Sequence, residues 1–283
     1  MGDAITGGQT NFSAHTLREA VNYADKYRLG AITINFNGTL AGQTITLAGT
    51  LGALQLSNTT ESTTLSGNSL GVGLNVLTIS GGSTGTSGTT VFDVPFVTSL
   101  VTATISDLDI TERFSLSGGG GIFNEGNLTL TACAVTACTA SVGGGIDDDG
   151  GTLTLTNCTI SGDSTPNPSF GEPSGAYKGG GIYNSGKLAI TGGTVGTIGG
   201  STISTSDFAY SDGGGIFNSS TGNATVTSCT IDGDQAYDQN ESSCGGGIYS
   251  KGDGVELIKS TYFTNDTASS GSGGGVLGGG GWF

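Results

Sequence analysis

The sequence predicts an all-β protein, a parallel β-helix closed by one short helix, and three observations point there. First, a GGGI string or a near copy occurs six times, ending at Ile122, Ile146, Ile182, Ile216, Ile248 and Val276. The intervals are 24, 36, 34, 32 and 28 residues. Second, each interval holds a further recurring block: LTLTACAV from Leu128, LTLTNCTI from Leu153, LAITGGTV from Leu188, ATVTSCTI from Ala224, and a degraded VELIKSTY from Val255. Third, 55 of the 283 residues are Gly, whereas only 11% are charged, so the chain has many tight corners and little charge to bury. A repeat of this length is one supersecondary unit that cannot bury its inner face alone. Stacking the units at the ~4.8 Å strand spacing gives a continuous narrow core.

Counted from the first residue of each block, position +2 is Leu130, Leu155, Ile190, Val226 and Leu257, and position +7 is Val135, Ile160, Val195, Ile231 and Tyr262. Alternation over four residues marks a strand with one buried face. The change of parity between +2 and +7 requires a bend. Position +4, with Ala132, Asn157, Gly192, Ser228 and Lys259, is where the bend is expected. The longer intervals carry extra residues just before GGGI, at 164–178, 201–212 and 235–244. They are expected to emerge along one edge, where repeat proteins commonly bind.

The first 117 residues read as the same architecture with less regularity. Strands are expected over 31–37, 43–47, 75–80, 90–94 and 101–110, separated by Gly, Ser and Thr turns. Ahead of them lies the one helix candidate, residues 17–27. Thr16 and Glu19 form a capping box, and Leu17, Ala20, Val21 and Ala24 make an apolar stripe. This helix is expected to cover the open end of the core. No linker divides the chain, so one domain is expected over 1–283: an N-terminal segment and cap (1–30), irregular coils (31–117) and GGGI coils (118–283).

Eight Lys and Arg against 23 Asp and Glu leave a formal charge of −15, which argues against nucleic acid or an anionic membrane surface as partner. No run of 18 apolar residues is present, so membrane insertion is not expected. Among the five cysteines, Cys133, Cys158 and Cys229 share position +5 and the inward parity of +7. They read as buried small residues. A Cys133–Cys158 bridge stays open at this point, although the rung spacing exceeds the ~3.8 Å between Cβ atoms that a disulfide favours. No Cys/His cluster has zinc spacing.

Asp147, Asp148 and Asp149 stand one coil from Glu125, and like charges so close call for solvation, protonation or a cation. These four residues are the candidate Ca²⁺ ligands; no other cofactor is expected. At the centre of the same turn Asn124, Asp148, Asn184 and Asn218 recur, which predicts an inward polar ladder bonded to the turn backbone. Phe123, Tyr183, Phe217 and Tyr249 follow the GGGI aliphatic residue, so alternation turns them outward as a stripe broken by Asp147. With Phe170, Tyr177, Phe208, Tyr210 and Tyr237 from the insertions they form the candidate binding surface for a sugar chain or a protein.

A polysaccharide lyase needs a basic residue beside an acid cluster, and a hydrolase needs paired carboxylates. The basic residues of the stacked coils are Arg113, Lys178, Lys187, Lys251 and Lys259, and none joins a nucleophile, base and orienting group. The lone histidine, His15, precedes the helix. Outward pairs such as Thr129 with Thr131 and Thr154 with Thr156 are similar to those of ice-binding solenoids, over two coils only.

The segment HTLREAVNYAD followed by AITINF resembles the SLREAI-type cap of secreted bacterial right-handed β-helix proteins. The later coils resemble the repeat of polymorphic outer-membrane proteins, in which GGAI pairs with FxxNxA. The matching strings here are GGGI with VTACTA (135–140), IDGDQA (231–236) and FTNDTA (263–268). This resemblance implies a pectate-lyase-like, right-handed helix that is secreted or displayed on a cell surface. No leader peptide is present, and its removal is assumed.

The last coil reaches Leu277, Trp282 and Phe283 without a polar cap. Further repeats, a plug of Trp282 and Phe283, or another subunit could cover that end. The expectation is head-to-tail assembly into a fibre through Leu277, Trp282 and Phe283, with residues 1–14 available to a neighbour. The function expected is a non-enzymatic surface structural protein or adhesin that contacts glycan or a host or cell-surface protein. The alternative is a polysaccharide-binding or polysaccharide-degrading β-helix.

Overall fold

The computed structural model describes residues 3–7, 10–14, 16–26, 30–48, 51–67, 76–82, 90–97, 101–111, 114–166, 177–192, 202–204, 208–209, 212–237, 245–251, 255–268 and 275–278. His15, Arg113, Phe170, Tyr210, Cys244, Trp282 and Phe283 lie outside these residues, and of Phe208 and Leu277 only the backbone is described.

The chain folds as a parallel β-helix. Three long sheets run along its axis, and each coil contributes one strand to each sheet in turn. The first sheet holds Ile32–Asn35, Thr63–Ser66, Thr102–Ser106, Asn127–Thr131, Thr152–Thr156, Lys187–Thr191, Asn223–Thr227 and Val255–Lys259. The second holds eight three- or four-residue strands from Thr44–Thr46 to Tyr262–Thr264, and the third runs from Leu54–Gln55 to Val276–Gly278. Short strands such as Thr139–Val142 and Gln235–Ala236 form a further narrow face between the second and third sheets.

Register explains the core. In the first sheet Ile34, Leu65, Ile105, Leu130, Leu155, Ile190 and Val226 stack one above another, and all are buried. Leu54, Phe92, Ile122, Ile146, Ile182, Ile216 and Ile248 do the same in the third. Between the first and second sheets the chain turns through one left-handed residue, at Asp107, Ala132, Asn157, Ser228 and Ser260 (φ 49–55°). The strand expected over 101–110 is therefore two strands, Thr102–Ser106 and Leu108–Thr111, broken at Asp107.

The GGG string has three separate causes. Gly143 adopts φ +58°, and a Cβ there would strike the backbone of Ile146. A Cβ on Gly144 would meet the Gly180 carbonyl of the next coil, and one on Gly145 would lie 2.5 Å from a carboxylate oxygen of Asp163.

Two registers differ from the sequence reading. The last block begins at Glu256, which pairs with Ala224, so Ile258 and Phe263 take positions +2 and +7. Leu257 and Tyr262 point outward, 40% and 55% exposed, and the corner falls on Ser260 instead of Lys259. In the third block Ile203, not Val195, stands between Ile160 and Ile231. Residues 202–204 and 208–209 are thus ordinary rungs, and the extra length of that coil lies between Gly192 and Thr202, at a different corner from the other insertions. Local alternation matched the wrong residues in both cases because only pairing with the neighbouring coils fixes the phase.

The helix Leu17–Lys26 buries Leu17, Ala20, Val21 and Ala24 against the end of the core. The Glu19 N–H donates to Thr16 Oγ1 (3.1 Å), as the capping box requires. Residues expected to await a neighbour instead form an antiparallel hairpin, Asp3–Gly7 with Thr10–Ala14, laid antiparallel on Ile32–Asn35. No helix among the described residues is long and apolar enough to cross a membrane.

Candidate functional site

The candidate site runs along the third sheet, where each GGGI string delivers an aliphatic residue inward, one side chain outward, and a polar residue inward again. The inward polar file is continuous. Asn124, Asp148, Asn184 and Asn218 have no exposed surface, and Ser250 continues the line. Asn124 Nδ2 donates to Asp148 Oδ1 (2.6 Å), Asn184 Nδ2 to Asn218 Oδ1 (2.7 Å), and Asn218 Nδ2 to Ser250 Oγ (3.0 Å). The Asn124 and Asn184 side-chain oxygens accept the Gly126 and Gly186 N–H groups (both 3.2 Å). The ladder bonds coils to one another and also holds the following turn.

The outward file reads Gln55, Asp93, Phe123, Asp147, Tyr183, Phe217 and Tyr249. The expected exposed stripe is closed at its centre, because Phe217 is buried. Its ring stacks on Tyr183 (5.3 Å, 3° between planes), contacts Tyr249 at 5.3 Å, and lies under Lys178 Nζ (4.9 Å). Rung spacing forces the rings together, and the cation packs against the central one. Burial lowers the Lys178 pKa, and the nearby Lys251 adds to that shift. Phe123, Tyr177, Tyr183 and Tyr249 are half-buried; Tyr237 is exposed.

The four candidate Ca²⁺ ligands do not converge. Parity sends Asp148 inside and Asp147 outside. Glu125 accepts the Phe96 N–H (3.1 Å), and Asp149 accepts the Ser185 hydroxyl (3.0 Å). Among the described residues no three His, Cys, Asp or Glu side chains are placed to hold a metal. Burial instead drives the Asp147 carboxyl up to about 8, reinforced by Asp149, Asp148 and Glu125, and the Asp148 carboxyl up to about 7.

Cys133, Cys138, Cys158 and Cys229 are reduced, not disulfide-bonded, and all are buried. Cys133, Cys158 and Cys229 donate to the carbonyls of Thr131, Thr156 and Thr227 (3.2–3.4 Å). Each thiol is thus turned toward a backbone oxygen and not toward the next sulfur.

Sequence reasoning missed a second polar file. Asp163 Oδ1 accepts the Cys138 N–H (2.7 Å), and Asp266 Oδ1 accepts the Asp234 N–H (3.0 Å). Oδ2 of Asp163 or Asp234 packs where the third glycine of a GGG string lacks a Cβ. The recurring GDST, GDQA and NDTA strings were the available signal. The outward hydroxyl file is also longer than two coils: Thr33, Thr64, Thr104, Thr129 and Thr154 are in register before Ala189 interrupts them.

At the capped end, a groove of about 760 Å³ separates the helix from the outermost strand of the second sheet, Thr44–Thr46, and is lined by Leu17, Tyr23, Leu40, Ile45, Leu47 and Leu51. No protein-family model matches the chain, and no curated protein or solved structure gives a match.

Proposed function

We propose that this chain is a non-enzymatic structural β-solenoid of the cell surface or extracellular space, of the kind the polymorphic outer-membrane repeat represents, and that copies associate end to end or act as an adhesin. One observation carries the reading: among the described residues, two files of polar side chains and the thiols are turned inward and occupied in stacking. Asn124, Asp148, Asn184 and Asn218 stack in one buried axial file, with bonds from Asn124 to Asp148 and from Asn184 to Asn218, Asp163 and Asp234 lie in another, and the thiols are bonded to carbonyls. What the repeats produce is shape. The strand Thr44–Thr46 pairs on one side only, beside an apolar groove, which supports strand addition at that pole.

The second reading, a polysaccharide-binding or polysaccharide-degrading β-helix, draws on the half-buried faces of Phe123, Tyr183 and Tyr249. Electron microscopy and sedimentation velocity of purified protein, with a glycan array and a uronate-release assay, separate the two. Concentration-dependent rods or oligomers without depolymerisation are expected. Monomers at micromolar concentration, with depolymerisation abolished by Lys187→Ala, would overturn the structural reading.

A further inference from the structure

The polar ladder contains one member of the wrong type. Asn124, Asn184 and Asn218 each use the NH₂ to reach the next coil, and the oxygens of Asn124 and Asn184 accept a turn N–H, so the file has a direction. Asp148 takes a place in that file with no NH₂. Its Oδ1 accepts from Asn124, as an amide oxygen would. Its Oδ2 points the way an NH₂ would. A Cβ on Gly186 would lie 2.8 Å from Asp148 Oδ2, just as a Cβ on Gly222 would lie 2.8 Å from Asn184 Nδ2. Asn184, the register partner of Asp148 on the next coil, has its NH₂ committed to Asn218, which leaves its side-chain oxygen as the group available to Asp148. Asp148 has no exposed surface, and Oδ2 is buried without a hydrogen-bond partner.

We propose that native Asp148 is a neutral carboxylic acid at pH 6, with a proton on Oδ2 donated to the Asn184 side-chain oxygen, so that a proton completes the ladder. An oxygen with two lone pairs accepts both this donor and the Gly186 N–H. An ionised Asp148 would instead set a buried carboxylate oxygen against an amide oxygen, which is costly away from solvent. Turning the Asn184 amide over would relieve that contact, but it would present an NH₂ to the Gly186 N–H and an oxygen to the oxygen of Asn218. The acidic groups nearby are Asp147 on the same strand, Asp149 just beyond its end and Glu125 on the preceding coil. Burial opposes ionisation of Asp148 first, and the Asp149 charge adds to it. Lys187 on the following coil is exposed on the outer face of the first sheet and does not enter the ladder. The result is an acid-strengthened rung in the middle of the solenoid.

Carboxyl ¹³C NMR of the full chain, with Asp148 assigned by its loss in Asp148→Asn, reads the protonation state directly. A protonated signal at pH 6 is expected, and an ionised signal at pH 6 overturns the proposal. Urea unfolding of wild type and Asp148→Asn from pH 5 to 8 is the second measurement. The native state holds one proton that the unfolded chain releases, so the wild-type unfolding constant should rise about tenfold per pH unit relative to the variant between pH 5 and 7, and level above that. A flat ratio across that window overturns the proposal. Should Asp148→Asn fail to fold, Asp148 is assigned from backbone-correlated spectra of wild type, and the NMR titration decides.

Discussion

Replacing Gly144 with Ala tests the close coil stacking on which the other inferences depend. The added methyl would meet the Gly180 carbonyl and lie 2.5 and 2.6 Å from the Ser164 O and N, whereas ordinary contact begins at 3.4 Å. All these atoms are backbone of the next coil, so no side chain can swing aside. The coils must part locally by about 0.9 Å, the shortfall at Ser164 O. That gap strains the Gly144 N–H to Gly179 O bond (3.0 Å), the Gly145 N–H to Gly180 O bond (3.2 Å) and the Ala140 N–H to Ser164 O bond (3.1 Å). At roughly 1 kcal/mol for each ladder bond, the expected cost is about 3 kcal/mol. Gly150→Ala is the control: nothing lies within 4 Å of its Cβ, and its φ of +76° costs about 1–2 kcal/mol on its own. Urea unfolding followed by far-UV circular dichroism should therefore show a clearly larger fall in midpoint for Gly144→Ala. Equal losses for the two variants would refute the stacking argument.

Further outcomes follow from the same geometry. Leu155→Ala removes a fully buried member of the central aliphatic file and should cost about 2–5 kcal/mol, against less than 0.5 for outward Thr154→Ala; similar midpoints would contradict the assigned register. Burial raises the carboxyls of Asp147, Asp148 and Asp266 to about 8, 7 and 7, so the native state binds more protons than the unfolded chain above pH 4. Stability should be greatest in mild acid and fall as pH rises through 8, and a melting temperature that climbs from pH 5 to 8 would contradict this. Burial also pushes the Cys133 and Cys158 thiols up and that of Cys229 to about 11, so in a Cys244→Ser background a thiol reagent should label the four remaining thiols only on unfolding. Lys178→Ala should uncover the Phe217 ring and increase binding of a hydrophobic dye; unchanged dye binding would show that other groups bury it.

The fold was legible because a repeat states its own geometry. Six GGGI strings and inward positions such as Leu130, Leu155 and Ile190 required stacked coils, and the Thr16–Glu19 pair marked the helix start. The polar ladder was legible for the same reason: Asn124, Asp148, Asn184 and Asn218 recur at one place in the unit. Phase was not legible where a copy had degraded. Leu257 and Ile258 are equally apolar neighbours, and only pairing with Thr225 and Val226 decides which one faces the core. The environment of each charge also lay beyond the sequence. Asp147 and Asp148 are adjacent and identical, yet the tertiary structure sends one toward stacked rings and the other into an amide file, because a strand turns successive side chains to opposite faces. Sequence thus fixed what repeats, and packing of one coil on the next decided what each repeated residue meets.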